Sequence, residues 1–169
     1  MTENHITIRR LGAADFEDYR HIRLEALKTA PEAFGSTYLV ESQRSDEEFF
    51  ARLSSTIVHL AYVNGSVAGM VGLKCETGLK DSHKGFIWGM YVQPEHRHLG
   101  LGAALLTQAL EVAAGLVEQV TLSAVKDNLA AVRLYQKLGF DIYGTEPRSL
   151  KSEGVYVDEV LMVKFLRET

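Results

Sequence analysis

The sequence predicts a mixed α/β fold, with a central, mostly antiparallel sheet of about seven strands flanked by about four helices in the order βααβββαβαββ. Three observations predict it. Strand-length apolar or alternating runs recur at residues 6–9, 57–63, 67–76, 86–92, 120–125, 142–150 and 155–165. Asn64-Gly65 and Ser152-Glu153-Gly154 sit between successive runs and join them as antiparallel hairpins. Apolar stripes at helical spacing fill intervals between the other runs.

The elements follow in order. Residues 6–9 alternate as an edge strand. Asp15 is placed to cap a helix running to about Thr29, whose apolar side carries Phe16, Tyr19, Ile22, Ala26 and Leu27. Pro31 and Gly35 end it in a loop over residues 30–37 that holds Phe34. Ser45 or Asp46 caps a second, short helix over residues 47–53, and a hairpin follows. The polar segment 77–84 turns the chain into the strand 86–92. The helix after it has two parallel stripes, Leu101, Leu105, Ala109, Val112 and Leu106, Leu110, Ala113, wide enough to lie on a sheet, and Gly115 stops it. Asn128 or Asp127 caps the last helix, and Gly139-Phe140 reads as a left-handed stop with an apolar clasp. A closing antiparallel pair completes the chain.

Length and composition set limits. The 169 residues suit one domain spanning 1–169, with 46% hydrophobic and 24% charged residues, as in soluble globular proteins. No run reaches the length of a membrane span and no signal-peptide pattern opens the chain, so a cytoplasmic protein without a membrane partner is expected. A lone cysteine, Cys75, fits a reducing compartment and reads as a small buried hydrophobe. The net charge of −4 argues against nucleic acid as a partner. His96 and His98, two apart in a turn and without a thiolate or carboxylate set, give no metal site.

The stretch Gln93-Pro94-Glu95-His96-Arg97-His98-Leu99-Gly100-Leu101-Gly102-Ala103 carries the chemistry. It joins an apolar strand to an amphipathic helix, an arrangement that aims unpaired amides and the positive helix dipole at an anion. Gly100 and Gly102 let a large phosphate ligand approach the main chain, and Arg97 adds a fixed cation. The Walker pattern fails because Ala103-Ala104 replace the required Lys-Ser/Thr, and the dinucleotide fingerprint fails because Leu105 stands at its third glycine. A pyrophosphate site is expected; a tight turn that opens a helix is the plainer alternative.

Arg97-x-x-Gly100-x-Gly102 after Met90-Tyr91-Val92, with Asn128-x-x-Ala131-x-x-Leu134-Tyr135-x-x-Leu138-Gly139-Phe140 downstream, resembles the two signature blocks of the GNAT N-acetyltransferase superfamily. His98 and Leu99 depart from the glycine and the polar or basic residue that many members carry there. The resemblance implies acetyl-CoA as acyl donor, a primary amine of a small molecule or of a protein or peptide as acceptor, no metal, and direct attack in a ternary complex. It places coenzyme A on Met90, Tyr91, Val92, Arg97, His98, Leu99, Gly100, Leu101, Gly102, Ala103, Asn128 and Tyr135. In such a fold the fourth and fifth strands splay, and main-chain groups of Met90 and Val92 pair with the pantetheine arm. Tyr135 is implied as the donor that protonates the leaving thiolate.

The base is less obvious, since the strand 86–92 holds no carboxylate. Glu159 is the candidate: it shares a period-two face with Val155, Val157, Leu161, Val163 and Phe165, and a carboxylate buried there would titrate high unless paired. An ion pair at the sheet border is the alternative for Glu159; Asp158, His83 and His59 are further candidates. Phe34, with Trp88 beneath it, could form an aromatic slot for a cationic amine. A non-catalytic acyl-CoA-binding sensor is the rival function, and a homodimer through a free sheet edge is a further expectation.

Overall fold

The computed structural model describes residues 3–168. Its strands are β1 (Ile6–Arg10), β2 (Ile57–Val63), β3 (Ser66–Cys75), β4 (Lys84–Val92), β5 (Gln119–Val125), β6 (Asp141–Ser152) and β7 (Val155–Phe165). The helices are α1 (Phe16–Thr29), α2 (Tyr38–Glu41), α3 (Asp46–Leu53), α4 (Leu101–Ala114) and α5 (Leu129–Lys137). The seven strands form one sheet in the order β1-β2-β3-β4-β5-β7-β6, antiparallel everywhere except between β4 and β5. Strand β7 inserts between β5 and β6, which leaves β1 and β6 as the edges.

Local chemistry explains most boundaries. Asn64 and Gly65 take φ of 51° and 84°, and Glu153 and Gly154 take 49° and 83°, the paired left-handed conformations of a two-residue hairpin turn. Ser45 caps α3, accepting from the Glu48 N–H at 3.3 Å while Glu48 Oε2 accepts from the Ser45 N–H at 2.7 Å. Gly139 ends α5 at φ 91°, Phe140 is buried behind it, and Lys164 Nζ donates to the Leu138 carbonyl at 2.8 Å. Gly115 follows α4 in the right-handed region, φ −83°, so that helix ends without a left-handed residue.

Three expectations need correcting. Asp15 precedes α1, yet its carboxylate turns back to accept from the Gly12 N–H and from Arg9 at 2.6 Å and makes no cap bond. The one-turn helix α2 went unpredicted, because Tyr38, Leu39 and Val40 are exposed and carry no amphipathic pattern. The face of β7 that carries Glu159 is not the core face.

Two cores line the two sides of the sheet. Leu101, Leu105, Leu106 and Ala109 of α4 and Val132 and Tyr135 of α5 cover one side, against Val71, Leu73, Ile87, Val120, Leu122, Val160 and Met162. Phe16, Tyr19, Ile22 and Ala26 of α1 and Phe49 of α3 cover the other, against Val58, Leu60, Met70 and Tyr91. The helices of this second side lie over β2 to β4, so Leu161, Val163 and Phe165 of β7 remain partly or fully exposed there. Among the described residues no helix is long and apolar enough to cross a membrane.

Candidate active site

Strand β4 determines where a ligand can enter. It pairs with β5 only through Lys84–Gln119, Gly85–Val120 and Phe86–Thr121. Beyond Phe86 the two strands part, and β4 keeps free main-chain groups along that edge. On its other edge Gly72 faces Trp88 and Met70 faces Tyr91, so Val71 stands opposite both Gly89 and Met90. Gly89 takes φ +65° in this bulge. The extra residue reverses the alternation: Ile87 packs under α4, whereas Tyr91 packs under α1. A glycine inside an otherwise apolar strand was the sequence signal for the bulge.

A cleft of about 770 Å³ follows the divergence, walled by Met90 and Val92 of β4, Gly102 and Ala103 of α4, and Ala131 and Leu134 of α5. Its far end is the predicted anion site. A 3₁₀ turn, Pro94–Leu99, brings the chain to Gly100, which takes φ 75° at the start of α4. A Cβ on Gly100 would meet nothing within 4 Å, so the backbone conformation, not space, calls for glycine. The first helical bond runs from the Ala104 N–H to the Gly100 carbonyl at 3.1 Å, which leaves the amides of Leu101, Gly102 and Ala103 ahead of it as the helix's unpaired donors. Arg97 lies beside them, lining the cleft, its Nε donating to the Val92 carbonyl at 3.1 Å. Gly102 has a second reason to be glycine: a Cβ there would lie 3.1 Å from Leu134 Cδ2.

The structure separates the other cofactor candidates. Asn128 lines the cleft and its Oδ1 accepts the Ala131 N–H at 3.2 Å, so the residue caps α5 and faces the ligand space together. The side chain of Leu101 is buried in the core, Leu99 packs against that core, and His98 is exposed away from the cleft wall. Leu99 and Leu101 thus have only their main chain to offer the site. Tyr91 enters the lining while its hydroxyl donates to Glu25 Oε1 at 3.3 Å. Tyr135 is 6% exposed, edge-on to Phe140 at 6.1 Å, and is not among the residues of the cleft wall, where Leu134 stands instead. Burial alone pushes its phenol up to about 12.

A second cavity, of about 600 Å³, adjoins the cleft and shares Ala33 and Phe34 with it. One wall comes from α1 and β4 (Arg23, Trp88, Gly89) and the opposite one from β5 and β7 (Ser123, Glu159). Trp88 Nε1 donates to Thr56 Oγ1 at 2.9 Å, and the indole fills the space that a side chain at Gly72 would need. Phe34 and Trp88 do form an aromatic slot, but the protein's own cation occupies it: the Arg23 guanidinium lies 5.4 Å from the Phe34 ring and 5.6 Å from the Trp88 ring. Arg23 is held by a two-point pair to Glu41, Nε to Oε2 at 3.0 Å and Nη2 to Oε1 at 2.9 Å. Burial alone would push the Glu41 carboxyl up; the Arg23 hydrogen bonds and charge outweigh it and hold the group below the usual carboxylate range. Sequence reasoning missed this pair. The signal was Arg23 itself, an arginine on the apolar side of α1 between Tyr19 and Ala26.

Glu159 lies on the cavity side of β7 because Val160 and Met162 point into the α4 core. Its carboxylate accepts from Ser123 Oγ at 3.4 Å and from Ser149 Oγ, and no arginine or lysine pairs with it among the described residues. Asp158 accepts the Arg148 N–H at 2.8 Å instead. His59 is buried in β2 and His83 sits before β4; neither lines the cleft or the second cavity. Among the described residues no three metal-ligating side chains come together.

The comparisons agree with this geometry. A relative named L-amino acid N-acetyltransferase AaaT, from Escherichia coli (strain K12), is 28% identical over 95% of this chain and 98% of its own length. A GNAT-family acetyltransferase structure from Streptococcus pneumoniae superposes with a TM-score of 0.84 at 27% identity, covering 95% of this chain and 99% of that one. The structure of yncA from Salmonella typhimurium, determined with its cofactor acetyl-CoA, shares the fold with a TM-score of 0.83 at 22% identity, covering 98% and 96%. The sequence profile of the Acetyltransferase (GNAT) family matches residues 19–140, and with the split between β4 and β5 and the open amides of α4 in place, the chain belongs to that family.

Proposed function

We propose that this protein transfers the acetyl group of acetyl-CoA to the primary amine of a small molecule in a ternary complex. The observation that carries the reading is the continuous path from the unpaired amides of α4, along the free edge of β4, to the cavity that holds Glu159. Acetyl-CoA supplies an activated thioester. The amides of Leu101, Gly102 and Ala103, with Arg97, form a fitting cradle for a diphosphate. The open edge at Met90 and Val92 suits the amides of an extended arm, as an added strand would. These groups hold the two reactants together, and alignment of that kind supplies up to roughly 7–11 kcal/mol of a barrier.

The proton balance assigns the remaining roles. An N–C bond forms as the C–S bond breaks; from ammonium to amide the nitrogen gives up two protons, one to a base before attack and one that the departing thiolate takes up. An alkylammonium titrates near about 10, so a base is needed at neutral pH. Glu159, held by two hydroxyls and free of a cationic partner, takes the first proton. Tyr135 stands one residue from the cleft wall at Leu134. With its phenol at about 12 against about 8.5 for a thiol, full transfer to a thiolate costs about 5 kcal/mol. Tyr135 therefore stays protonated and stabilises the departing sulfur by donating a hydrogen bond, and the thiolate takes its proton from the acylated nitrogen as the tetrahedral intermediate collapses. Cys75, half-buried and with its thiol pushed up by burial and then by Glu76, takes no part and suits a reducing, cytoplasmic setting.

Thiol release from acetyl-CoA with a panel of amines tests the reading. Tyr135→Phe should lower kcat by about 10- to 100-fold with acetyl-CoA affinity unchanged. It should leave Tm unchanged as well, because no partner loses a bond. An unchanged kcat removes Tyr135 from the chemistry.

A further inference from the structure

We propose that the acceptor carries a carboxylate beside its amine, as an α-amino acid does, and that Arg23 is the residue that reads it. This inference rests on the acyl-transfer reading above and deepens it. Three observations carry it. First, Arg23 is a built anchor, not a mobile surface cation. Its side chain is 7% exposed, its Nε and Nη2 are fixed by Glu41, and its guanidinium carbon lies 5.4 Å from the Phe34 ring and 5.6 Å from the Trp88 ring. Its Nη1 makes no hydrogen bond to any described residue, while Arg23 lines the acceptor cavity.

Second, the charge there is not balanced. Among the described residues Glu41 is the single carboxylate within ion-pair distance of three guanidiniums, Arg23 at 2.9 Å, Arg44 at 3.5 Å and Arg52 at 3.9 Å, and both Arg23 and Arg52 reach the cavity. Lys74 and Glu76, also in the lining, carry opposite charges, so the guanidiniums leave positive charge in excess around Arg23, while β7 presents Glu159, which no arginine or lysine pairs among the described residues. A simple alkylamine would meet that excess unfavourably. A zwitterion satisfies both walls, its carboxylate on Arg23 and its ammonium toward Glu159.

Third, position limits the spacing. A Cβ built on Gly89 would lie 3.6 Å from Arg23 Nη1, so the free donor sits against the β4 bulge, beside the open edge. In an α-amino acid the amine nitrogen is only about 2.5 Å from the carboxyl carbon, given bonds of about 1.46 and 1.52 Å. A carboxylate on Nη1 thus holds an α-amine near the bulge. An amine at the far end of a lysine-like chain would be carried several ångströms away.

The test uses the whole protein and matched acceptors: an α-amino acid, its carboxamide and its decarboxylated amine, each measured as kcat/KM in thiol release. The amino acid should exceed both others by about 10- to 100-fold, even though the carboxamide has the more readily deprotonated amine. In Arg23→Lys, which keeps the charge but loses the planar fork, the ratio of acid to carboxamide should collapse toward one. Folding of that variant is checked by melting and by acetyl-CoA binding. Equal kcat/KM for acid and carboxamide in the unaltered protein overturns the proposal, and does so even where Arg23→Lys fails to fold. A preference that survives intact in folded Arg23→Lys overturns the assignment to Arg23. Acetyl-CoA binding without thiol release for any amine overturns the acyl-transfer reading itself, a result distinct from both.

Discussion

Gly102→Ala separates ligand binding from folding at the α4 amides. Gly102 is helical, and a methyl there would come 3.1 Å from Leu134 Cδ2 and 4.0 Å from Val92 Cγ2. The Leu134 tip is the end of a flexible side chain at the cleft wall, so it can retreat by the few tenths of an ångström needed. Replacing glycine by alanine inside a helix gains about 0.5–1 kcal/mol, which offsets that crowding. The net change in stability should lie within about 1 kcal/mol. For 169 residues the unfolding entropy is about 0.35 kcal/mol/K, so Tm should move by no more than about 3 °C. Coenzyme binding should respond very differently. The methyl projects where a diphosphate must come within hydrogen-bond range of the amides of residues 101–103. Loss of one charge-assisted hydrogen bond costs about 1.5–3 kcal/mol, or about 10- to 150-fold in Kd. Titration calorimetry with coenzyme A and a thermal melt of the same sample read both quantities. A Kd within twofold of the unaltered protein, with Tm in the stated range, refutes the placement of the diphosphate at these amides.

Two further outcomes follow from the site and its support. Glu159→Gln keeps an oxygen acceptor for one serine, offers its amide N–H to the other hydroxyl and removes the base, so turnover at pH 7 should fall by about 100-fold and recover as pH rises toward the amine's own pKa; a pH–rate profile identical to that of the unaltered protein excludes Glu159. Glu41 is held below its usual range in the folded state, so its contribution to stability is complete above the unfolded value, near 4.5, and is lost as pH falls through the lower folded value. Glu41→Gln should destabilise by about 3–5 kcal/mol at neutral pH by leaving Arg23 buried without a counter-charge, and should flatten the acid limb of Tm against pH. A variant that melts like the parent at pH 7 would show that the pair has no structural weight.

The sequence made the linear organisation legible because the signals there are local. Asn64-Gly65 dictates its own hairpin turn, Ser45 with Glu48 caps its own helix, and strand, Gly100, helix opens amides wherever that succession occurs. The open amides at the start of α4 were readable for the same reason: they belong to main chain within a few residues of Arg97. The acceptor side was not. Period two divides β7 into two faces without saying which one the helices will cover. The more apolar face, with Val155, Val157, Leu161, Val163 and Phe165, looked like the core and is the uncovered one. The aromatic pair Phe34 and Trp88 was found, but its cation proved to be internal.

From its residues alone, this chain determined the order of its elements, the hairpins, the Ser45 and Asn128 caps and a helix start with open amides, all of which depend on neighbours in sequence. Only the tertiary structure decided that β4 leaves β5 after Phe86, that Tyr135 lies beneath the cleft wall, and that Glu41 holds Arg23 in the slot facing Glu159. Those outcomes depend on groups 18 to 136 positions apart competing for the same space and the same charge, and no local preference encodes the result of that competition.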